Sequence, residues 1–373
     1  MSAQTGFGDL RARLAAAVSL PVRGGHVALL DGWRGLCILL VLVGHFVPAL
    51  DMLGNIGVEF FFVLSGRLMA DILVFKRQPI PTFLKRRFAR VMPALAAYVL
   101  IVGIVTNVAM VATGHPPQLL SPVAALFLFH NFIPLQSIVA AFQHTWSLAV
   151  EEHSYLLLVL IAFVSARRPR LSTILALLLC LAALINGMRL FAHPDGIQFI
   201  IWRSDYRVAS VLFSFALYTM LRRAAEGGQP PRLPWLAPVT AALATAGVFL
   251  LDPVNPAQLA ICTILAAMAV NTLEVSAAPV RKLLQHPFLL WAGTLSFSLY
   301  VWQQLFYCFT LGAMPGFIAL PLTVVAALWS FKRVEEPARN YLNSRWAPVP
   351  DPVAARTTPT ARAATPTTAV SLF

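Results

Sequence analysis

Charged side chains are scarce in this sequence: only 12% of its 373 residues are Asp, Glu, Lys or Arg. Soluble globular domains carry about 25%, so this composition excludes an ordinary soluble domain. Hydrophobic residues make up 58% of the chain, and the mean hydropathy is +0.75. Apolar runs long enough for a helix to cross a bilayer recur along most of the chain. The sequence therefore predicts an all-α polytopic membrane protein.

Acidic residues and cysteines are scarcer still. The 15 acidic residues against 28 Lys and Arg give a formal net charge of +13. In a soluble protein this excess would indicate nucleic acid, but in a membrane protein the basic cytoplasmic loops account for it. We therefore expect a lipid bilayer and no nucleic acid as partner, and we predict no metal site. No disulfide framework is expected, because all four cysteines lie in apolar runs: Cys37, Cys180, Cys262 and Cys308.

The apolar runs predict about ten transmembrane helices in a multi-pass protein of the inner (cytoplasmic) membrane. They lie at residues 28–50, 55–75, 91–113, 146–164, 171–191, 204–221, 235–251, 256–275, 288–311 and 315–331. With cytoplasmic N- and C-termini, every Lys/Arg cluster then falls on the cytoplasmic side, as the positive-inside rule requires. A further apolar stretch at 119–135 would reverse this agreement if it crossed the membrane. We therefore interpret 114–145 as an outward loop with an interfacial or re-entrant helix.

The two ends of the chain differ from this central part. Residues 1–26 carry basic residues but no small-residue cleavage site followed by a soluble domain, so they are predicted to be a cytoplasmic or interfacial N-terminal arm rather than a removed signal peptide. The transmembrane domain is expected to occupy 27–340. Residues 347–373 are rich in Pro, Thr and Ala, which predicts a disordered C-terminal tail.

The first predicted span, within LDGWRGLCILLVLVGHF (30–46), carries ionisable residues in an apolar run. Each such group costs about 2.5–3.5 kcal/mol at the bilayer centre. Arg34 and His45 are eleven residues apart, which returns to nearly the same helix face about 16 Å further along. We predict that both line one groove, although Arg34 could instead extend to the cytoplasmic headgroups. Pro48 predicts a bend in the helix beside His45.

The second predicted span begins with GVEFFFVLSG at 57–66. The turn between the first two spans is short, so residues at equal distance from it lie at similar depth. His45 precedes Leu50 by five residues and Glu59 follows Gly54 by five. Glu59 is therefore a predicted partner of the imidazole. The alternative is a glutamate near the interface that accepts hydrogen bonds from neighbouring backbone.

The fourth predicted span begins with HTWSLAVEEHSY at 144–155 and places Glu151 at a similar depth. Ser147 and Tyr155 are its neighbours at i−4 and i+4. A histidine and carboxylates would thus converge at one level from three helices, which indicates a functional site rather than isolated structural charges. Trp146 could be only an aromatic anchor at the membrane interface.

A dense basic cluster, FLKRRFARVMP at 83–93, precedes the third predicted span. Arg87 and Arg90 share one face if this segment is helical. Such clusters usually determine topology and contact anionic lipid. A phosphate site is the other interpretation, since guanidinium groups match phosphate oxygens.

Taken together, these stretches resemble acyltransferase family 3, a family of integral membrane proteins, over about 30–340. The resemblance is carried by Asp31, Gly32, Arg34, Gly35 and His45, by 57–66, by Arg87, Arg90 and Pro93, by 144–155, by LSFSLYVWQQLF at 295–306 and by RVEEPARN near 340. Two positions depart from the family pattern. Arg67 follows Gly66 where Phe-Leu is common, and could face the cavity or pair with Asp71. Gln303 stands where many members have His, so a second obligatory His is not supported there.

The resemblance implies transfer of an acyl group, usually acetyl from acetyl-CoA, to a hydroxyl of a carbohydrate or glycolipid. The catalytic residues would then be His45, Glu59, Glu151 and Glu152, and the donor-binding residues Arg34, Arg87 and Arg90. Substrate contacts or support would come from Asp31, Ser65, Arg67, Trp146, Ser147, Tyr155 and Gln303. In this scheme a channel joins the basic cluster to His45. A secondary transporter or flippase is the alternative, although the sequence has no recognisable inverted repeat.

Overall fold

The computed structural model describes residues 28–192, 202–228, 234–251, 255–312 and 314–346. Within these ranges the chain is helical and contains no strand. We number the α-helices in chain order as α1 (Ala28–Phe46), α2 (Met52–Ala70), α3 (Ile80–Ala112), α4 (Leu120–Leu126), α5 (Thr145–Val164), α6 (Pro169–Phe191), α7 (Ser204–Glu226), α8 (Ala237–Leu251), α9 (Pro256–Asn271), α10 (Ala278–Leu284), α11 (Pro287–Thr310), α12 (Gly316–Ser330) and α13 (Glu336–Trp346). The π-helical turns Asp71–Phe75 and Phe331–Glu335 follow α2 and α12.

The all-α, multi-pass membrane character is confirmed. A helix lies at each of the ten predicted positions. Among the described residues, six helical segments are long and apolar enough to cross a bilayer, whereas α8 and α9 are apolar but shorter. The number of ten spans, the cytoplasmic termini and the domain bounds 27–340 stay predictions. The predicted arm at 1–26 and tail at 347–373 lie outside the described residues.

The segment between α3 and α5 does not form a spanning helix. It contains the seven-residue helix α4 and the short 3₁₀ turns His130–Phe132, Leu135–Ser137 and Ala140–Phe142. Seven residues in a helix extend only about 10 Å. The prediction that this stretch does not cross the membrane agrees with these short elements.

Pro48 ends α1 instead of bending it. Val47, directly before it, leaves the helical conformation at φ −122° and ψ 94°, and a 3₁₀ turn begins at Pro48. The predicted bend is therefore wrong. The physical reason is that a proline ring disfavours the helical conformation in the preceding residue. His45 consequently lies in the last turn of α1.

The helices α1 and α11 run parallel and approach each other closely. A Cβ atom at Gly293 would overlap the backbone carbonyl of Asp31, and one at Gly35 would overlap that of Leu289. Fourteen residues further along both helices, the His45 ring lies 4.6 Å from the Tyr307 ring. The absence of side chains at the two glycines therefore sets the register that brings His45 to Tyr307.

Gly293→Ala is expected to lower the free energy of unfolding by about 3 kcal/mol or more, since overpacking against backbone leaves little room for relaxation. Thermal and denaturant unfolding in detergent measure this loss. Gly247→Ala in α8 is the matched control, because no atom lies within 4 Å of its added Cβ. There the gain in helix propensity should stabilise the protein by about 0.5–1 kcal/mol. Equal behaviour of the two variants would contradict the close packing of α1 and α11.

The helix α2 lies at the centre of the bundle and positions most of the polar residues. It contacts α1, α5, α7, α8 and α9. Ser214 Oγ donates a hydrogen bond to the Val63 carbonyl, which ties α7 to α2 in mid-helix. Different faces of α2 therefore meet different neighbours, and this determines the surroundings of Glu59, Ser65 and Arg67.

Candidate functional site

A cavity of about 330 Å³ lies between α2, α3, α5 and α11, with Arg34 of α1 at its wall. Its lining combines cationic side chains with apolar and aromatic ones, with Phe62, Phe83 and Phe297 among the aromatic residues. The charged and polar residues that line it are Arg34, Arg86, Arg87, Arg90, Glu151, Ser65, Gln78, Ser147, Tyr155, Ser296 and Tyr300. Four arginines against one glutamate make the cavity suited to an anionic ligand with an apolar part.

Arg87 is the centre of a compact ion-pair network. Its Nε donates a 2.6 Å hydrogen bond to Glu152 Oε1, and its Nη2 lies 3.3 Å from Glu151 Oε2. The guanidinium carbon is 4.3 Å from the centre of the Tyr155 ring. Glu151 also accepts hydrogen bonds from Ser65 Oγ at 2.6 Å and from the Tyr155 hydroxyl. Two carboxylates thus neutralise Arg87, and the network fixes the position of Glu151 at the cavity wall.

Arg86 and Arg90 differ from Arg87 in having no such partner. Neither makes a hydrogen bond or ion pair to any of the described residues, whereas Arg34 pairs with Asp31 at 2.8 Å. Arg86 is exposed and Arg90 is half-buried. Two guanidinium groups without carboxylate partners at one cavity wall can bind several oxygens of a phosphate or pyrophosphate group.

Glu59 does not pair with His45, so this prediction is wrong. Its carboxylate is completely buried, lies 3.0 Å from Arg207 Nη2 and accepts a 3.1 Å hydrogen bond from Thr263 Oγ1. The reason is the rotation of α2, whose face at residue 59 meets α7 and α9. Sequence reasoning missed Arg207. The available signal was an arginine inside the predicted span 204–221, the same kind of signal that pointed to Arg34.

His45 lies apart from both carboxylate networks. Its ring packs on Tyr307, and its Nδ1 is buried without a hydrogen-bond partner among the described residues. It does not line the cavity. His45, Glu59 and Glu151 therefore have different partners, because the three side chains meet different helices. That they lie at a similar depth in the membrane stays a prediction.

The predicted channel to His45 is not part of this cavity, whose lining does not include His45, and it stays a prediction. The cavity extends to Ser147 and Tyr300, whose hydroxyl groups are hydrogen-bonded to each other. The Tyr300 hydroxyl also donates to the backbone carbonyl of His144 at 3.0 Å. These two hydroxyl groups therefore form part of the cavity wall. Tyr300 belongs to the motif at 295–306, but the sequence analysis did not predict it as a site residue.

Arg67 takes neither of its two expected positions. It is buried, pairs with Glu274 and donates a hydrogen bond to the Val270 carbonyl, so it joins α2 to the end of α9. Asp71 pairs instead with Arg222 at 2.5 Å and with Lys76 at 2.7 Å. A buried guanidinium needs a carboxylate partner within the protein. For Arg67 this partner is Glu274, because Asp71 is already paired with two other cations.

The remaining predicted residues fall into two groups. Ser65, Ser147 and Tyr155 line the cavity. Trp146 packs on Phe62 beside Arg207, Asp31 pairs with Arg34, and Gln303 is completely buried. The functional roles assigned to all these residues stay predictions.

Fold and cavity together define a multi-pass helical membrane protein with a cationic pocket between its helices. The comparisons specify it further: the family model described as an acyltransferase domain (Acyl_transf_3) matches residues 27–331, and the chain belongs to this family.

Among curated proteins, the chain is 25% identical over 355 residues to the peptidoglycan O-acetyltransferase OatA of Listeria monocytogenes, covering 84% of this chain and 56% of the relative. It is 23% identical to a putative O-acetyltransferase of Staphylococcus aureus, covering 84% and 57%. It is 28% identical over 182 residues to the O-acetyltransferase OatA of Staphylococcus aureus, covering 44% and 29%. The chain thus spans little more than half the length of the first two relatives. No solved structure matches significantly.

Proposed function

We propose that this protein is a membrane-embedded O-acyltransferase of the cytoplasmic membrane. It moves an acyl group, in the first instance acetyl, from acyl-CoA to a hydroxyl of a carbohydrate or glycolipid. Membership of the acyltransferase family supports the reaction class, and the names of the relatives support O-acetyl transfer and a glycan acceptor. The observation that carries the proposal is the cavity with two arginines, Arg86 and Arg90, that form no hydrogen bond or ion pair with any of the described residues.

The donor would bind in this cavity through its nucleotide end. Arg86, Arg90 and Arg34 would contact the phosphate oxygens, since charge-assisted hydrogen bonds to phosphate are strong and geometrically specific. Arg87 would hold the cavity wall in place through Glu151 and Glu152, because its charge is already balanced. The apolar walls would accept the thin pantetheine arm.

His45 would supply the acid–base chemistry at the far side. In direct transfer, the imidazole accepts the proton of the acceptor hydroxyl while the oxygen attacks the thioester carbonyl carbon. The C–S bond then breaks, and the departing thiolate takes the proton from the imidazolium. In the two-step route, the imidazole first carries the acyl group and releases it to the hydroxyl. Both routes begin with a neutral imidazole, because only that form has a nitrogen that can accept the proton or attack the acyl carbon.

The function is tested with purified protein in lipid vesicles that contain glycan fragments as acceptor. Acetyl-CoA should yield free CoA thiol and acetylated glycan in equal amounts. A transporter or flippase would leave the thiol concentration unchanged. Release of thiol without glycan modification would support donor use but not the proposed acceptor class.

Arg90→Ala is expected to raise the KM for acetyl-CoA by about 10–100-fold, since a hydrogen bond to a charged group contributes about 1.5–3 kcal/mol. The KM for the acceptor should change little. Steady-state kinetics with each substrate varied in turn measure both effects.

Lys85→Ala is the matched control for Arg90→Ala, because Lys85 is an exposed cation of the same helix that does not line the cavity. Its kinetics should stay close to wild type. Equal effects of Arg90→Ala on the donor and acceptor constants would contradict donor binding and indicate a lipid-anchoring role.

A further inference from the structure

One face of α11 connects the cavity to His45. Ser296, Tyr300, Gln303 and Tyr307 follow each other at i, i+4, i+7 and i+11, which places them in one stripe along the helix. Ser296 and Tyr300 line the cavity, and Tyr307 packs on His45. The α carbons of Tyr300 and Tyr307 are about 10.5 Å apart along the helix axis. We call these four residues the α11 stripe.

Gln303 occupies the part of the stripe between the two sites. It is 0% exposed, and its Oε1 has no hydrogen-bond partner among the described residues. Its Nε2 has a contact of 3.5 Å with Gln304 Oε1, at the limit of a hydrogen bond. The neighbouring Gln304 is different, because its Nε2 donates to the Ala140 carbonyl at 2.9 Å.

A buried carboxamide whose oxygen has no hydrogen-bond partner, like that of Gln303, is unusual in folded proteins. Buried side-chain polar atoms nearly always have a partner, and an unsatisfied one bears its full desolvation penalty. The amide oxygen accepts hydrogen bonds and the amide nitrogen donates them. The chemical group that matches both atoms at once is another amide.

Tyr300, the member of the α11 stripe that precedes Gln303, is held at the cavity wall by hydrogen bonds. Ser147 and Tyr300 are joined through their hydroxyl groups, and Tyr300 donates to the His144 carbonyl. Hydroxyl groups reorient readily, and a ligand that offers equivalent hydrogen bonds can replace these contacts. A thin, amide-containing chain fits this requirement.

We propose that the α11 stripe is the wall along which the pantetheine arm of the donor reaches His45, and that Gln303 binds an amide of that arm. The N–H of the arm donates to Gln303 Oε1, and its carbonyl accepts from Gln303 Nε2. Gln303 is then a donor-positioning residue that holds the thioester beside the imidazole. This inference rests on the proposed function, since it needs an acyl-CoA donor.

The test compares thioesters that differ in their amide groups. Acetyl-CoA and S-acetylpantetheine retain both amides of the arm, S-acetyl-N-acetylcysteamine retains one amide, and S-propyl thioacetate has none. For the full-length protein in vesicles, Gln303→Leu should lower kcat/KM by about tenfold with the donors that contain the contacted amide, which corresponds to one hydrogen bond. With S-propyl thioacetate it should have no effect.

Gln304→Leu is the matched control, because it removes a buried carboxamide of the same helix that already has a partner in the protein. It should lower the unfolding temperature and affect all donors equally. If Gln303→Leu also affects all donors equally, or affects none, the amide contact is refuted. Wild-type protein that uses none of the thioesters refutes the proposed function and this inference with it, whereas an active wild type with an unselective Gln303→Leu variant refutes the inference alone.

Discussion

His45→Ala is expected to reduce acyl transfer by roughly 10²–10⁴-fold, the usual contribution of a positioned general acid–base group. Without the imidazole, no group on this face of α1 accepts the proton of the acceptor hydroxyl or carries the acyl group. The ring makes a single aromatic contact, with Tyr307, and its Nδ1 has no hydrogen-bond partner among the described residues. The loss should therefore appear in kcat rather than in the amount of folded protein.

His115→Ala is the matched control for this experiment. His115 is an exposed histidine just after α3 and does not line the cavity. Transfer from acetyl-CoA should be unchanged in this variant. Full activity of a correctly folded His45→Ala protein would refute the role of the imidazole, and the proposed mechanism would then need another base.

The helices could be predicted because their signal is local. A run such as ALLDGWRGLCILLVLVGHF is apolar over the whole length of α1, and in a bilayer the backbone of such a run must satisfy its own hydrogen bonds. The interpretation of 114–145 as an outward loop came instead from the positions of the Lys/Arg clusters along the chain. The approximate positions of the apolar helices follow from such signals, although Pro48 ended a helix where a bend was expected.

The partners of the buried charges could not be predicted in the same way. Distance from the turn between α1 and α2 gives the approximate depth of His45 and Glu59, but not the direction in which each side chain points. That direction depends on the packing of α2 against α7 and α9, whose residues lie about 150–200 positions further along the chain. A carboxylate within an apolar run predicts a polar or cationic partner. The identity of that partner, Arg207, depends on the helix packing.

The partners of the arginines in the basic cluster could not be predicted from the sequence either. Arg86 and Arg87 are adjacent in sequence, so their side chains leave α3 about 100° apart. Arg87 meets the two carboxylates of α5, whereas Arg86 meets no carboxylate of the described chain. From residue type alone, Arg87 was predicted to bind the acyl donor. The tertiary contacts favour Arg86 beside Arg90 instead.

Arg207→Leu is expected to lower the free energy of unfolding by about 3–5 kcal/mol, because it leaves the Glu59 carboxylate buried without its cation. Glu59 is 0% exposed and the Arg207 side chain only 5%, so water cannot replace the lost partner. The guanidinium also covers the rings of Phe62 and Trp146, which adds lost packing. Denaturant unfolding in mixed micelles, or the unfolding temperature in detergent, measures the effect.

An exposed pair on the same helix end provides the control. Arg203 pairs with Asp205 at 2.7 Å, but their side chains are 30% and 38% exposed, so Arg203→Ala should cost less than about 1 kcal/mol. Glu59→Leu combined with Arg207→Leu removes both buried charges and should recover much of the stability lost in Arg207→Leu, since no unpaired charge remains. Equal losses for Arg203→Ala and Arg207→Leu would show that Glu59 does not depend on Arg207. A double variant no more stable than Arg207→Leu would attribute the loss to packing rather than to the unpaired carboxylate.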